Sequence, residues 1–237
     1  MKKKVLALIA ILVVIGIVWG IVALIGNSNK NNNETMLAES DEQNNTDEII
    51  ADNELNNIET TDSTTNSDRK ILIAYFSRAG DNYNVGVVEK GNTELMAENI
   101  VEMTGGDLFK IEPTQDYPVS YDEATEIAQE EQRNDARPQI QGNIEDFGEY
   151  DTIFIGYPIW YGDMPQIMYT FLESYDFSGK TVIPFNTHEG SGNSGTYNTI
   201  KSKLESANVL DGLAIRGSEA REDSSKTTIE EWLEQVL

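Results

Sequence analysis

The chain has 237 residues, with 41 Asp and Glu against 17 Lys and Arg and a formal net charge of −24. A surface of that sign repels polyanions, so nucleic acid is not an expected partner. There is no cysteine and only one histidine, which excludes disulfides and thiolate sites and argues against a metal site built on histidine or cysteine.

The chain opens on three lysines, followed by Val5–Gly26, 22 residues without a charge. As a helix that run is roughly 33 Å long, enough to cross a bilayer. The lysines favour the cytoplasmic side, so residues 1–26 read as a single-pass anchor that places the rest outside the cell membrane. The alternative is a cleaved signal peptide and a secreted product. The apolar run exceeds the usual ~7–15 residues and no small-residue cleavage site follows it, which favours the anchor. Residues 27–69 are Asn, Thr, Ser and acid with scattered apolar positions. They cannot bury enough surface to offset the entropy of ordering and are expected to form a disordered linker.

Residues 70–237 carry 30 Asp and Glu against 12 Lys and Arg, a net charge of −18, and are long enough for one domain with a real core. Solubility is the plain reading of that charge, and a docking partner with a basic patch is the functional one. The apolar run at 70–76 predicts a strand covered on both faces. At 93–106, Leu95, Met96, Ile100 and Met103 fall on one helical face, with glycines after them. Strand 107–112 and a polar helix over 121–135 follow. A second buried strand spans 150–158. A helix covers 164–175, with Pro165 in its first turn. The strand at 180–187 contains the awkward Pro184. A helix over 195–207 and a short strand at 213–217 lead to a last helix at 227–237. There Thr227 and Glu230 can form a capping box.

This βα alternation implies a parallel sheet with helices on both faces. Five strands fit the doubly wound order 2-1-3-4-5, in which ligands bind beyond the carboxyl ends, at the switch between the first and third strands. Three loops therefore matter. The first runs "SRAG", ten further residues, then "GNTE" opening a helix. A helix N-terminus binds phosphate through unpaired N–H groups, and Ser77, Asn92 and Thr93 can donate beside it. Equally, Ser77 and Asn92 can simply cap and turn the chain, and Arg78 can pair a dianion or stay in solvent. The second loop, "YPIWYGDMP", presents Trp160 and Tyr161 to cover a flat ring, unless Trp160 packs beneath its own loop. Gly162 there allows close backbone approach. The third, "NTHEGSGNSGT", contains a G-x-G-x-x-G pattern. It is not on the first strand, and Leu210 stands about 20 positions past its start where the dinucleotide fingerprint needs an acid. It reads instead as a small-residue loop facing a heterocycle. His188 is either a solvent-facing loop residue, a donor to a cofactor, or a proton relay.

"ILIAYFSRAG…GNTELMAENI", "DTIFIGYPIWYGDMP" and "IPFNTHEGSGNSG" together resemble the flavodoxin-like family, especially its flavodoxin-type and quinone-reductase-type domains. The resemblance implies an α/β, three-layer, doubly wound five-stranded parallel sheet and a bound FMN. It implies that Ser77, Arg78, Gly80, Asn92 and Thr93 hold the phosphate. Pro158, Ile159, Trp160, Tyr161 and Gly162 would line the isoalloxazine, and Thr187, His188, Glu189, Gly190, Ser191 and Gly192 its pyrimidine side. Two departures stand out. The family's phosphate loop, commonly Ser-x-Thr-Gly-Asn-Thr, is cut in two here, with Asp81–Lys90 looped out and Val85, Val87 and Val88 expected to fold back on the protein or cover the site. The third loop also lacks the aromatic that many electron-transfer members stack on the flavin. The expected function is electron transfer by a tethered FMN protein, to a basic partner protein or a small quinone-like acceptor. The alternatives are an FMN-dependent NAD(P)H quinone or azo reductase, and a binding module that has lost its flavin.

Overall fold

A computed structural model describes residues 69–237. The anchor at 1–26 and nearly all of the linker at 27–69 lie outside the described residues. Among those described, no helix is long and apolar enough to cross a membrane.

The elements run β1 (Ile71–Tyr75), β2 (Gly80–Asn82), β3 (Gly86–Val88), α1 (Asn92–Thr104), β4 (Asp107–Lys110), α2 (Tyr121–Arg133) and β5 (Thr152–Pro158). Then follow α3 (Gln166–Ser174), β6 (Thr181–His188), α4 (Thr196–Lys203), β7 (Asn208–Val209), β8 (Leu213–Arg216) and α5 (Ser224–Val236). The main sheet is parallel throughout, in the order β4-β1-β5-β6, with β7 and β8 sharing the last position beside β6. That is the expected order 2-1-3-4-5, with the fifth strand in two pieces.

Alternation along the strands divides the core. Leu72, Ala74 and Phe76 of the first strand and its exit, with Ile153, Ile155 and Tyr157 of β5, pack against α3 and α4 through Ile167, Met168, Phe171 and Ile200. Ile73, Tyr75, Phe154, Ile183 and Phe185 face the other way, onto Met96, Ala97 and Ile100 of α1 and Ile229, Trp232 and Leu233 of α5. The result is the three-layer α/β architecture.

Pro184 has a physical explanation. Val182 O and His188 O accept from Leu210 N (2.9 Å) and Gly217 N (3.0 Å), so even-numbered residues of β6 face the β7–β8 side. Pro184, which has no N–H to give, lies opposite the break between Val209 and Leu213.

Several expectations need correction. On α1 the buried face is Met96, Ala97 and Ile100; Leu95 is half-buried and Met103 is 37% exposed. Pro165 precedes α3 in an extended conformation (ψ 145) rather than lying in its first turn. Helix α4 stops at Lys203, well short of Ala207. Helix α5 begins three residues earlier than Thr227, because the turn Glu219–Arg221 runs into it and Ser225 Oγ donates to Ala220 O (3.4 Å). Thr227 therefore sits inside the helix, and no capping box forms at its start.

The ten-residue insert is not an irregular loop. Strands β2 and β3 pair antiparallel as a hairpin of their own, turning through Asn84 at φ +63. Val87 is 77% exposed, and none of Val85, Val87 and Val88 lines the cavity described below.

Candidate functional site

Asp81–Lys90 loops out as the hairpin, and the two halves of the first ligand loop meet at its base. A Cβ on Gly91 would lie 2.6 Å from Arg78 O and nearer still to Ser77 Oγ. Only glycine fits there, and it lets the start of α1 lie directly against "SR". Ser77 Oγ accepts from Glu94 N (3.1 Å), which leaves its own proton to give. Thr93 Oγ1 and Thr187 Oγ1 are 2.8 Å apart and buried, linking the first and third ligand loops. Among the described residues, the N–H groups of Asn92 and Thr93 have no partner. They are orphan donors at a helix N-terminus, suited to an anion.

Arg78 lies at this end but its guanidinium is already engaged. It donates to Pro118 O (2.8 Å), Val119 O (3.1 Å) and Asp81 O, and burial pushes its pKa below the ordinary arginine value. It locks the hairpin base onto the loop before α2. Gly80, at φ +93 and with a Cβ position only 2.8 Å from Val119 O, serves the same join and does not reach the cavity.

The second loop forms the opposite end. Trp160 N donates to Asp163 O (2.8 Å) and Asp163 N to Trp160 O (3.1 Å). Tyr161 (φ +51) and Gly162 (φ +74) are the central pair of this turn, the type I′ pattern. Gly162 is thus a turn residue on the surface, away from the cavity. Pro158, Ile159, Trp160 and Tyr161 line it. Trp160 also packs edge-on against Phe76 (5.3 Å) and Tyr117 (5.1 Å). The indole is therefore both wedged under its own loop and part of the cavity wall. Tyr117 is fixed in turn by donating to Glu131 (2.8 Å and 3.1 Å), whose carboxyl is pushed up by burial.

From the third loop Thr187, His188 and Glu189 line the cavity, while Gly190, Ser191 and Gly192 do not. The glycines turn the chain into α4: Gly190, Gly192 and Gly195 all have positive φ, and Gly192 O accepts from Asn186 Nδ2 (3.2 Å). His188 Nδ1 accepts from Gly190 N (2.9 Å). Burial and then the nearby Arg216 lower its pKa, and because Nδ1 is an acceptor the neutral ring carries its proton on Nε2.

A further wall was not foreseen. Helix α2 turns Tyr121, Ala124, Thr125 and Ala128 to the cavity, at i, i+3, i+4 and i+7. From the hairpin, Asn82 lines it too, and Tyr83 lies over Tyr121 with ring centres 5.8 Å apart. Asn84 Nδ2 reaches Glu189 (3.2 Å), tying hairpin to third loop. Together these walls enclose about 330 Å³, with donors at one end and aromatic rings at the other. Tyr121, Ala124 and Ala128 at helical spacing on a largely polar helix were the available signal for α2. Nothing local in the hairpin announced its tyrosine.

The flavodoxin family model matches residues 70–236. The chain belongs to the flavodoxin family. Among solved structures, this flavodoxin domain resembles a candidate flavoprotein from Bacteroides eggerthii DSM 20697, at 33% identity and a TM-score of 0.58, over 70% of this chain and 97% of that one. A second candidate flavoprotein, from Bacteroides uniformis ATCC 8492, is 29% identical with a TM-score of 0.57, over 70% and 98%. A flavoprotein in complex with FMN from Lactobacillus acidophilus NCFM shares the fold at 22% identity and a TM-score of 0.52, over 68% and 99%. No curated protein matches the chain.

Proposed function

We propose that the domain binds FMN and passes electrons to a redox partner. The observation that carries this reading is the pairing of ends in one cavity. Orphan N–H groups and the hydroxyls of Ser77 and Thr93 stand at the start of α1, and Pro158–Tyr161 form a wall for a flat ring. Flavodoxin membership and the FMN complex of the Lactobacillus protein support the same cofactor. FMN would supply the redox chemistry. The chain's part is to hold the phosphate through Ser77, Asn92 and Thr93, to orient the ring against Trp160, and to exclude water with α2 and the hairpin. Arg78, Gly80, Gly162 and Gly190–Gly192 shape these loops rather than grip the ligand.

The aromatic rim made by Tyr83 and Tyr121 at the cavity mouth also suits a small planar acceptor, which keeps a quinone or azo reductase as the second reading. The purified chain should be yellow, or become so with FMN, and heat should release FMN from it. A colourless protein that FMN cannot reconstitute would leave a flavin-less scaffold. Quinone turnover with NAD(P)H would favour the reductase.

We propose further that residues 1–26 anchor the chain and that the domain lies outside the membrane, where an acidic surface meets a basic partner protein. Protease added to intact cells should release a fragment starting within residues 27–69. Full protection would sink that orientation.

A further inference from the structure

Near the start of α1, Arg78 holds the base of the hairpin to the loop before α2, and a second guanidinium holds the start of the helix itself. Arg221, in the turn Glu219–Arg221 that follows β8, donates through Nη1 to Lys90 O (3.0 Å) and to Asn92 Oδ1 (3.0 Å). Its two acceptors flank Gly91, the residue at which the split loop is rejoined. Asn92 is 8% exposed and lines the cavity. With Oδ1 committed to Arg221, the amide has one orientation, and its Nδ2 has no hydrogen-bond partner among the described residues. Gly217 leaves room for it: a Cβ there would overlap both Asn92 Nδ2 and Glu189 Oε1. Glu189 thus brings a carboxylate to the neighbourhood of the Asn92 amide.

We propose that Arg221 is the positioning residue of the phosphate grip. It turns the Asn92 amide so that Nδ2 is presented to a phosphate monoester. It also places a positive charge one residue behind the anion, where Glu189 and a domain of net charge −18 oppose it. Arg78 cannot take this part, since three carbonyls hold it. The inference rests on the FMN reading and sharpens it. The effect of Arg221 belongs to the phosphate and not to the ring.

Riboflavin carries the same ring without the phosphate and is therefore the control. The apo form of the full chain is titrated with FMN and with riboflavin, following the loss of flavin fluorescence. Arg221→Ala should raise the FMN dissociation constant roughly tenfold or more and change that of riboflavin less than twofold. Arg221→Lys keeps the charge but not the fixed planar group through which Nη1 reaches both acceptors, and should cost FMN about threefold. Should Arg221→Ala fail to fold, Arg221→Gln retains a donor for Asn92 Oδ1 without the charge, and its loss should again fall on FMN alone. Equal losses on both ligands would make Arg221 a loop staple and overturn the proposal, as would no loss on either. If the unsubstituted chain binds riboflavin as tightly as FMN, the phosphate is not gripped and the proposal falls while flavin binding stands. If it binds neither, both fall.

Discussion

Gly91→Ala is expected to raise the FMN dissociation constant by at least about a hundredfold, the loss of two or more charge-assisted hydrogen bonds. The backbone at Gly91 is extended (φ −70, ψ 161), a conformation open to any residue, so strain in the loop is not the cause. The added methyl has no place to go. It would sit 2.6 Å from Arg78 O and nearer to Ser77 Oγ. Ser77 can turn away only by giving up Glu94 N, one of the donors at the start of α1. Arg78 O is main chain, just beyond Phe76, whose N–H is fixed to Gly156 O (2.9 Å), and it accepts from Asn82 Nδ2 (3.3 Å). The start of α1 must therefore move off the "SR" segment, and the N–H groups of Asn92 and Thr93 no longer converge with Ser77 on one point. Overpacking of this kind also costs about 1–3 kcal/mol of stability. Flavin-fluorescence titration reads the first effect and a thermal melt the second. An alanine variant that holds FMN as tightly as its parent would show that the two halves do not form one cradle.

Much of this frame was legible because parallel strands covered on both faces spell themselves out as apolar runs. "ILIAYF" and "TIFIGYP" could hardly be anything else, and the strand ends then located the ligand loops. What the sequence concealed was settled by distance along the chain. Strands β2 and β3 are three residues each, too short for alternation to show, and Arg78 fixes them through carbonyls forty residues on. Tyr83 belongs to the cavity only because Tyr121 of α2 stands beside it. Arg221 acts on Asn92 from 129 positions away. The glycines of "GSGNSG" were visible but ambiguous. Their positive φ values serve the entry into α4, and composition alone cannot separate a turn from a ligand cradle. The split fifth strand was announced only by Pro184, whose missing N–H makes sense once β7 and β8 are seen to leave a gap beside it.

A second methyl should cost more stability still. Gly156→Ala is expected to destabilise the domain by about 3 kcal/mol, at the upper end for overpacked cores. Gly156 on β5 is the register partner of Phe185 on β6, and the phenyl ring lies across the space a side chain would take. An alanine Cβ would come to 2.8 Å from one ring carbon and closer to two others. Neither side can give way: Phe185 is fully buried among Phe154, Ile183 and Ile215, and β5 is paired on both edges. The consequence reaches the candidate site, because Gly156 O holds Phe76 N and the next residues, Tyr157 and Pro158, lead into the loop that carries Trp160. Shifting β5 moves Trp160 relative to Ser77. The test is a double-mutant cycle by urea unfolding. Phe185→Leu alone should cost roughly 1–2 kcal/mol through lost burial. In the Gly156→Ala background the same change relieves the clash, so the double variant should be more stable than Gly156→Ala alone, which requires a coupling larger than the roughly 1–2 kcal/mol that Phe185→Leu costs by itself. Simple additivity of the two losses would mean that ring and glycine do not share the space, and the tight packing of β5 on β6 would no longer explain why a glycine interrupts the most deeply buried strand of the sheet.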